Sequence, residues 1–79
     1  MNVEQDPVFP IRAYTKAELA MLYCPQQCIS VALQTLYRWI RMNRPLMAEL
    51  EAVGYNKYRH CYTPAEVRLI VKYLGEPGC

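Results

Sequence analysis

Four cysteines, one histidine and a cluster of arginines are the residues of this chain with the most chemical potential. Cys24 and Cys28 form a C-x3-C pair, and His60-Cys61 could complete a tetrahedral zinc site. The spacing is not that of a standard finger or ribbon, and adjacent residues on a strand point to opposite faces. A reduced thiol acting as a small apolar side chain is the simpler reading, and no metal or other cofactor is expected. His60 beside Cys28 or Cys61 is the only pairing that resembles a nucleophile and its base. No Gly-rich phosphate loop or paired catalytic carboxylates accompany it, so the chain reads as a non-enzyme without a small-molecule substrate. The charge is more telling. Between Arg38 and His60 stand Arg38, Arg41, Arg44, Lys57 and Arg59 against Glu49 and Glu51, although the whole chain carries only +2.

Four helices must position these side chains. Tyr14-Thr15-Lys16-Ala17-Glu18-Leu19 recurs as Tyr62-Thr63-Pro64-Ala65-Glu66-Val67. In each copy the Thr hydroxyl can accept from the backbone N–H three residues on, and the Glu there can reach back to the Thr N–H. That is a capping box, so a helix starts after each Thr, stapled by the preceding Tyr. The first helix runs from Lys16 to about Tyr23, with Leu19, Leu22 and Tyr23 inward. The second is expected to be capped by Ser30 and to carry SVALQTLYRWIRM. Leu33, Leu36, Tyr37 and Ile40 line its core face, and Gln34, Arg38 and Arg41 fall opposite. Trp39 flanks the stripe and covers the core edge.

Pro45 should end the second helix by pushing Arg44 out of the α region, and then serve as the first residue of a third. Leu46, Leu50 and Val53 form that helix's stripe, and Gly54 ends it. The fourth runs from Pro64 to Leu74, with Val67, Ile70, Val71 and Leu74 inward and Gly75 as its stop. Leu69 and Tyr73 lie off that stripe at i, i+4. They are either isolated surface residues or a homodimer contact. Short strands at 11–14 and 59–62 would tie the two Tyr-Thr starts together.

The segments ELA at 18–20 and TLYRWI at 35–40 resemble the helix-turn-helix of excisionase-like and MerR-like winged domains. GYNKYRHCYTPAEVRLI at 54–70 resembles the wing and following helix of the latter. The connection around CPQQCI is longer than in those domains. The resemblance implies a winged-helix-like fold that binds double-stranded DNA. Gln34, Thr35, Arg38 and Arg41 would face the major groove, and Lys57, Tyr58 and Arg59 would hold the phosphate backbone. Taken without the resemblance, Arg38 and Arg41 are simply the solvated face of an amphipathic helix. From about Ile11 to Pro77 the chain also resembles a domain-of-unknown-function family of short Bacteroidales proteins. The matching segments are YTKAELA at 14–20, ALQTLYRWI at 32–40, Gly54-Tyr55, Tyr62-Thr63-Pro64 and YLGEP at 73–77. That kinship supplies no activity.

Seventy-nine residues allow one domain at most, and a chain of that size buries only roughly 60 % of its unfolded surface. An apolar fraction of 53 % favours a packed domain over disorder. The expected organisation is a flexible arm at 1–10, a globular helical domain at 11–77 and a tail at 78–79. The start, with Glu4 and Asp6, has no signal-peptide pattern, and no stretch approaches a membrane span, so a cytoplasmic protein without a membrane partner is expected. The fold expected is mainly α, with four helices and a short two-stranded β pairing. The function expected is non-catalytic DNA binding, with a self-associating protein-interaction module as the alternative.

Overall fold

A computed structural model describes residues 9–77. Its elements, in chain order, are β1 (Tyr14–Thr15), α1 (Lys16–Tyr23), α2 (Ile29–Met42), α3 (Arg44–Ala52), β2 (Cys61–Tyr62) and α4 (Pro64–Leu74). The protein is mainly helical, with β1 and β2 pairing antiparallel so that Tyr14 faces Tyr62 and Thr15 faces Cys61. The Lys16 N–H donates to the His60 carbonyl at 2.8 Å and extends this ladder by one bond. The strands are shorter than the pairing of 11–14 with 59–62 that the sequence suggests. Thr15 and Thr63 are helix caps, so each chain must leave the ladder as soon as it has formed.

Both capping boxes are present. The Glu18 N–H donates to Thr15 Oγ1 and the Thr15 N–H to Glu18 Oε1, each at 3.0 Å. In the second box the Thr63 N–H donates to Glu66 Oε1 at 2.8 Å, and the Glu66 N–H to Thr63 Oγ1 at 3.3 Å. The ladder sets Tyr14 directly across from Tyr62, so two like helix starts are joined back to back.

The remaining boundaries correct two expectations. Cys28, not Ser30, is the cap residue of α2, and it contributes no side-chain capping bond. Asn43 both ends α2 and caps α3: its N–H donates to the Ile40 carbonyl at 3.2 Å and its Oδ1 accepts from the Leu46 N–H at 3.1 Å. Arg44 is therefore the first residue of α3 and Pro45 the second, a place where proline's missing N–H costs nothing. At the far end of α3 the Tyr55 N–H reaches the Leu50 carbonyl at 2.9 Å and the Gly54 N–H the Glu51 carbonyl at 3.1 Å. This is a Schellman motif, and Gly54 supplies the positive φ of 88° that it requires.

The core gathers Leu19 and Ala20 of α1, Ala32, Leu36 and Ile40 of α2, Leu46 and Leu50 of α3, and Val67 and Ile70 of α4. Tyr14 and Tyr62 are buried with them. Leu22, expected inward, is exposed, and Ala20 takes its place in the core. Tyr23 donates from its hydroxyl to the Gly75 carbonyl at 2.5 Å and meets Trp39 edge-on, which ties the ends of α1 and α4 to α2. Phe9 stacks on Tyr14 with ring centres 5.4 Å apart, and the Tyr14 hydroxyl donates to the Pro10 carbonyl at 2.9 Å. Phe9 and Pro10 are thus docked on the domain. The rest of the expected arm, residues 1–8, and the tail at 78–79 lie outside the described residues.

Candidate nucleic-acid interface

Gln34, Arg38 and Arg41 are exposed on the outer side of α2. Beside them runs the turn from Tyr55 to Tyr58, which begins where the Schellman motif releases the chain. Asn56 shapes it: its Oδ1 accepts from the Tyr58 N–H at 2.8 Å, and its carbonyl accepts from the Arg59 N–H at 3.1 Å. Lys16 holds the turn from the opposite side. Its ammonium donates to the carbonyls of Asn56 and Lys57 at 3.2 and 3.0 Å, with the rings of Tyr55 and Tyr62 at 5.0 and 5.5 Å. Burial lowers the Lys16 pKa, Glu66 opposes that shift, and Arg59 adds to it.

Between α2 and this turn lies a cleft of about 370 Å³, walled by Leu33, Tyr37, Tyr55 and Tyr62 and rimmed by Gln34, Tyr58, Lys16 and Lys57. A second depression of about 530 Å³ adjoins it and shares Tyr37, Tyr55 and Lys57, adding Arg41, Met47 and Glu51. Arg41 stacks its guanidinium 5.6 Å from the Tyr37 ring centre, and the Lys57 ammonium lies 5.3 Å from the Tyr58 ring centre. Tyr58 is 80 % exposed. Burial raises the pKa of Tyr62 well above the ordinary tyrosine value and raises that of Tyr55 in the same direction. The Tyr55 hydroxyl is buried without a hydrogen-bond partner among the described residues. A further depression of about 570 Å³ lies elsewhere, among Trp39, Met42, Asn43, Arg44, Pro45 and Leu74, where α2 turns into α3.

Gln34, Arg41, Lys57 and Tyr58 therefore share one continuous surface, and exposed Arg38 neighbours them on α2. Two residues expected there are not part of it. Thr35 is only 8 % exposed and donates to Gln27 Oε1 at 3.2 Å, on the flank of α2 that faces the α1–α2 connection. The long CPQQCI segment folds back and covers it. Arg59 turns inward: its Nη2 donates to Glu66 Oε2 at 2.5 Å and its Nε to the Cys61 carbonyl at 3.2 Å. Glu66 is fully buried, so the guanidinium is the counter-charge of a capping carboxylate and is not a free phosphate ligand.

Leu69 and Tyr73 are half-buried and packed against the core. The Tyr73 hydroxyl donates to the Glu49 carboxylate, which joins α4 to α3 and raises the Tyr73 pKa. They pack into the α3–α4 seam and remain only partly exposed.

Lys16, Tyr37 and Tyr55 are the site residues that sequence reasoning missed. Lys16 left one signal. A cation in the first turn of a helix opposes the helix dipole, so a favourable partner elsewhere was implied. Among the described residues Cys24 is a buried free thiol and Cys28 and Cys61 are exposed ones. The Ser30 hydroxyl, followed by the Val31 backbone, lowers the Cys28 pKa. No group of three His, Cys, Asp or Glu side chains could hold a metal among the described residues, and no helix there is long and apolar enough to cross a membrane.

Four short helices around a two-residue ladder, with a basic and aromatic surface between α2 and the 55–58 turn, define a small mainly α domain. The match to known families covers nearly all of it. The chain belongs to the family described as Domain of unknown function (DUF4248), which matches residues 10–77. No curated protein and no solved structure matches the chain.

Proposed function

We propose that this domain is a non-catalytic module that binds double-stranded DNA in a winged-helix-like manner. In this reading α2 is the helix that enters the major groove and the 55–58 turn is the wing. The observation that carries it is the shared surface of Gln34, Arg41, Lys57 and Tyr58, with Arg38 alongside. Arg and Gln are the side chains that pair bidentately with guanine and adenine edges. Lys57 beside them suits a phosphate, which fixes register without reading sequence. The cytoplasm is the compartment that fits this role, since exposed thiols such as Cys28 and Cys61 stay reduced there.

The test is a titration of mixed-sequence duplex across a range of salt. Affinity should fall with salt, with a slope of about −0.9 for each phosphate neutralised. Lys57→Ala should reduce that slope by about one contact and weaken binding similarly on every sequence. Arg38→Ala should relax preference at particular base pairs by about 1–3 kcal/mol. Absence of salt-sensitive binding at low ionic strength refutes the reading.

Exposed Trp39 and Met42, at 40 % and 76 %, support the second reading, a self-associating interaction module. They border the depression next to α3 and do not involve Leu69 or Tyr73. Trp and Met are enriched at protein interfaces. Wild type that dimerises in sedimentation equilibrium, with Met42→Glu remaining monomeric, would favour it.

A further inference from the structure

We propose that the cleft between α2 and the 55–58 turn receives one unpaired base of a DNA strand, with the adjoining phosphate on Lys57. This rests on the surface that the DNA-binding reading uses and goes beyond that reading in making a single strand, not a duplex, the preferred ligand. The cleft's volume of about 370 Å³ falls within the roughly 300–1,000 Å³ of ligand sites and is ample for one planar ring. Leu33, Tyr37, Tyr55 and Tyr62 give it apolar and aromatic walls. Its two charged lining residues, Lys16 and Lys57, are both cations, no carboxylate lines it among the described residues, and nearby Glu66 is already paired with Arg59, so the complementary occupant is anionic.

The two cations are not equivalent. Lys16 already donates to two backbone carbonyls that hold the turn. Lys57 contacts the Tyr58 ring and has no carboxylate partner among the described residues, which leaves it for the phosphate. Tyr58, 80 % exposed at the rim, offers a ring face that the fold does not use. A nucleotide joins a planar ring to an anion at the distance of one sugar, so it satisfies the aromatic wall and Lys57 together. Gln34 at the rim carries both a donor and an acceptor for the base edge. In intact duplex each base is already stacked on both faces. Only an unpaired base can enter the cleft and gain the stacking with tyrosine that single-strand binders use.

Fluorescence anisotropy of the full chain at low salt tests this with three labelled probes. They are a single strand of about twenty nucleotides, longer than the site a small domain covers, the same strand in duplex, and an acidic peptide containing one tryptophan. The single strand should bind about ten-fold more tightly than the duplex. Tyr58→Ala, at a position whose ring the core does not need, should lower single-strand affinity about ten-fold and duplex affinity far less, which collapses the preference. Equal affinity for the two DNAs, or single-strand binding that Tyr58→Ala leaves unchanged, overturns the base cleft while the duplex reading stands. Binding of neither DNA overturns both. Capture of the peptide in place of DNA overturns the proposal and assigns the cleft to a protein partner.

Discussion

Replacing Arg59 with alanine should damage the fold before it damages any binding surface. Glu66 is fully buried, and its carboxylate has two partners: the Thr63 N–H at 2.8 Å on Oε1 and Arg59 Nη2 at 2.5 Å on Oε2. Removing the guanidinium leaves a buried carboxylate with one neutral donor, no ion-pair partner among the described residues, and only the field of Lys16 from beyond ion-pair distance. Stripping one partner from a buried ion pair costs about 3–5 kcal/mol. The Arg59 side chain is 35 % exposed, so water entering the vacated space offsets part of that cost, and about 2–3 kcal/mol is expected. A domain of this size has on the order of 4–12 kcal/mol of stability in total. The corresponding fall in Tm is about 8–24 °C, at about 4–8 °C per kcal/mol for so short a chain. Urea denaturation followed by far-UV circular dichroism measures it. Arg59→Lys should be intermediate, since an ammonium keeps the charge but cannot bond Glu66 and the Cys61 carbonyl with one planar fork. Glu66→Gln in the Arg59→Ala background should recover part of the loss, because the orphaned charge is gone. An Arg59→Ala variant within about 0.5 kcal/mol of wild type would show that the pair behaves as a surface salt bridge. If that variant also lost DNA affinity, Arg59 would return to the binding surface.

Thr15→Ala and Thr63→Ala should each cost on the order of 1 kcal/mol by the same urea assay, since each removes the hydroxyl of a capping box; unchanged midpoints would refute the caps as stability determinants. Tyr55→Phe should be neutral or stabilising by up to about 1–2 kcal/mol, because it removes a buried hydroxyl that has no partner among the described residues; a loss above about 1 kcal/mol would mean that hydroxyl is bonded in solution. Burial raises the Tyr62 pKa, so the unfolded chain ionises this group first. The contribution is therefore intact below the ordinary tyrosine pKa of about 10 and is lost as pH rises past it. A stability-against-pH series should fall above about pH 10, and Tyr62→Phe should flatten the fall.

The parts of this protein legible in its sequence are those decided within a few bonds. Each capping box joins a Thr to a Glu three residues on, so YTKAEL and YTPAEV mark the starts of α1 and α4 wherever the chain goes next. Gly54 and Gly75 mark ends because positive φ is a property of the residue itself. The apolar stripes of α2 and α4 follow from helical period, and they place Leu36, Ile40, Val67 and Ile70 in the core. Asn43 is legible in the same way, since an Asn three residues before Leu46 can cap a helix that carries Pro45 in its first turn.

What packing alone decided is which side chain meets which. Lys16 and the carbonyls it clamps at Asn56 and Lys57 are far apart in sequence and meet only because the β1–β2 ladder brings the two helix starts together. Tyr73 finds Glu49 across the α3–α4 seam, although helical period put it on a free face. Thr35 and Arg59 carry the right chemistry for a groove and a phosphate, yet the α1–α2 connection covers one and a buried Glu66 takes the other. A buried carboxylate recruits the nearest cation because leaving it alone is so costly. Which cation is nearest is fixed by the turn between α3 and β2, and no spacing rule in the sequence contains that geometry.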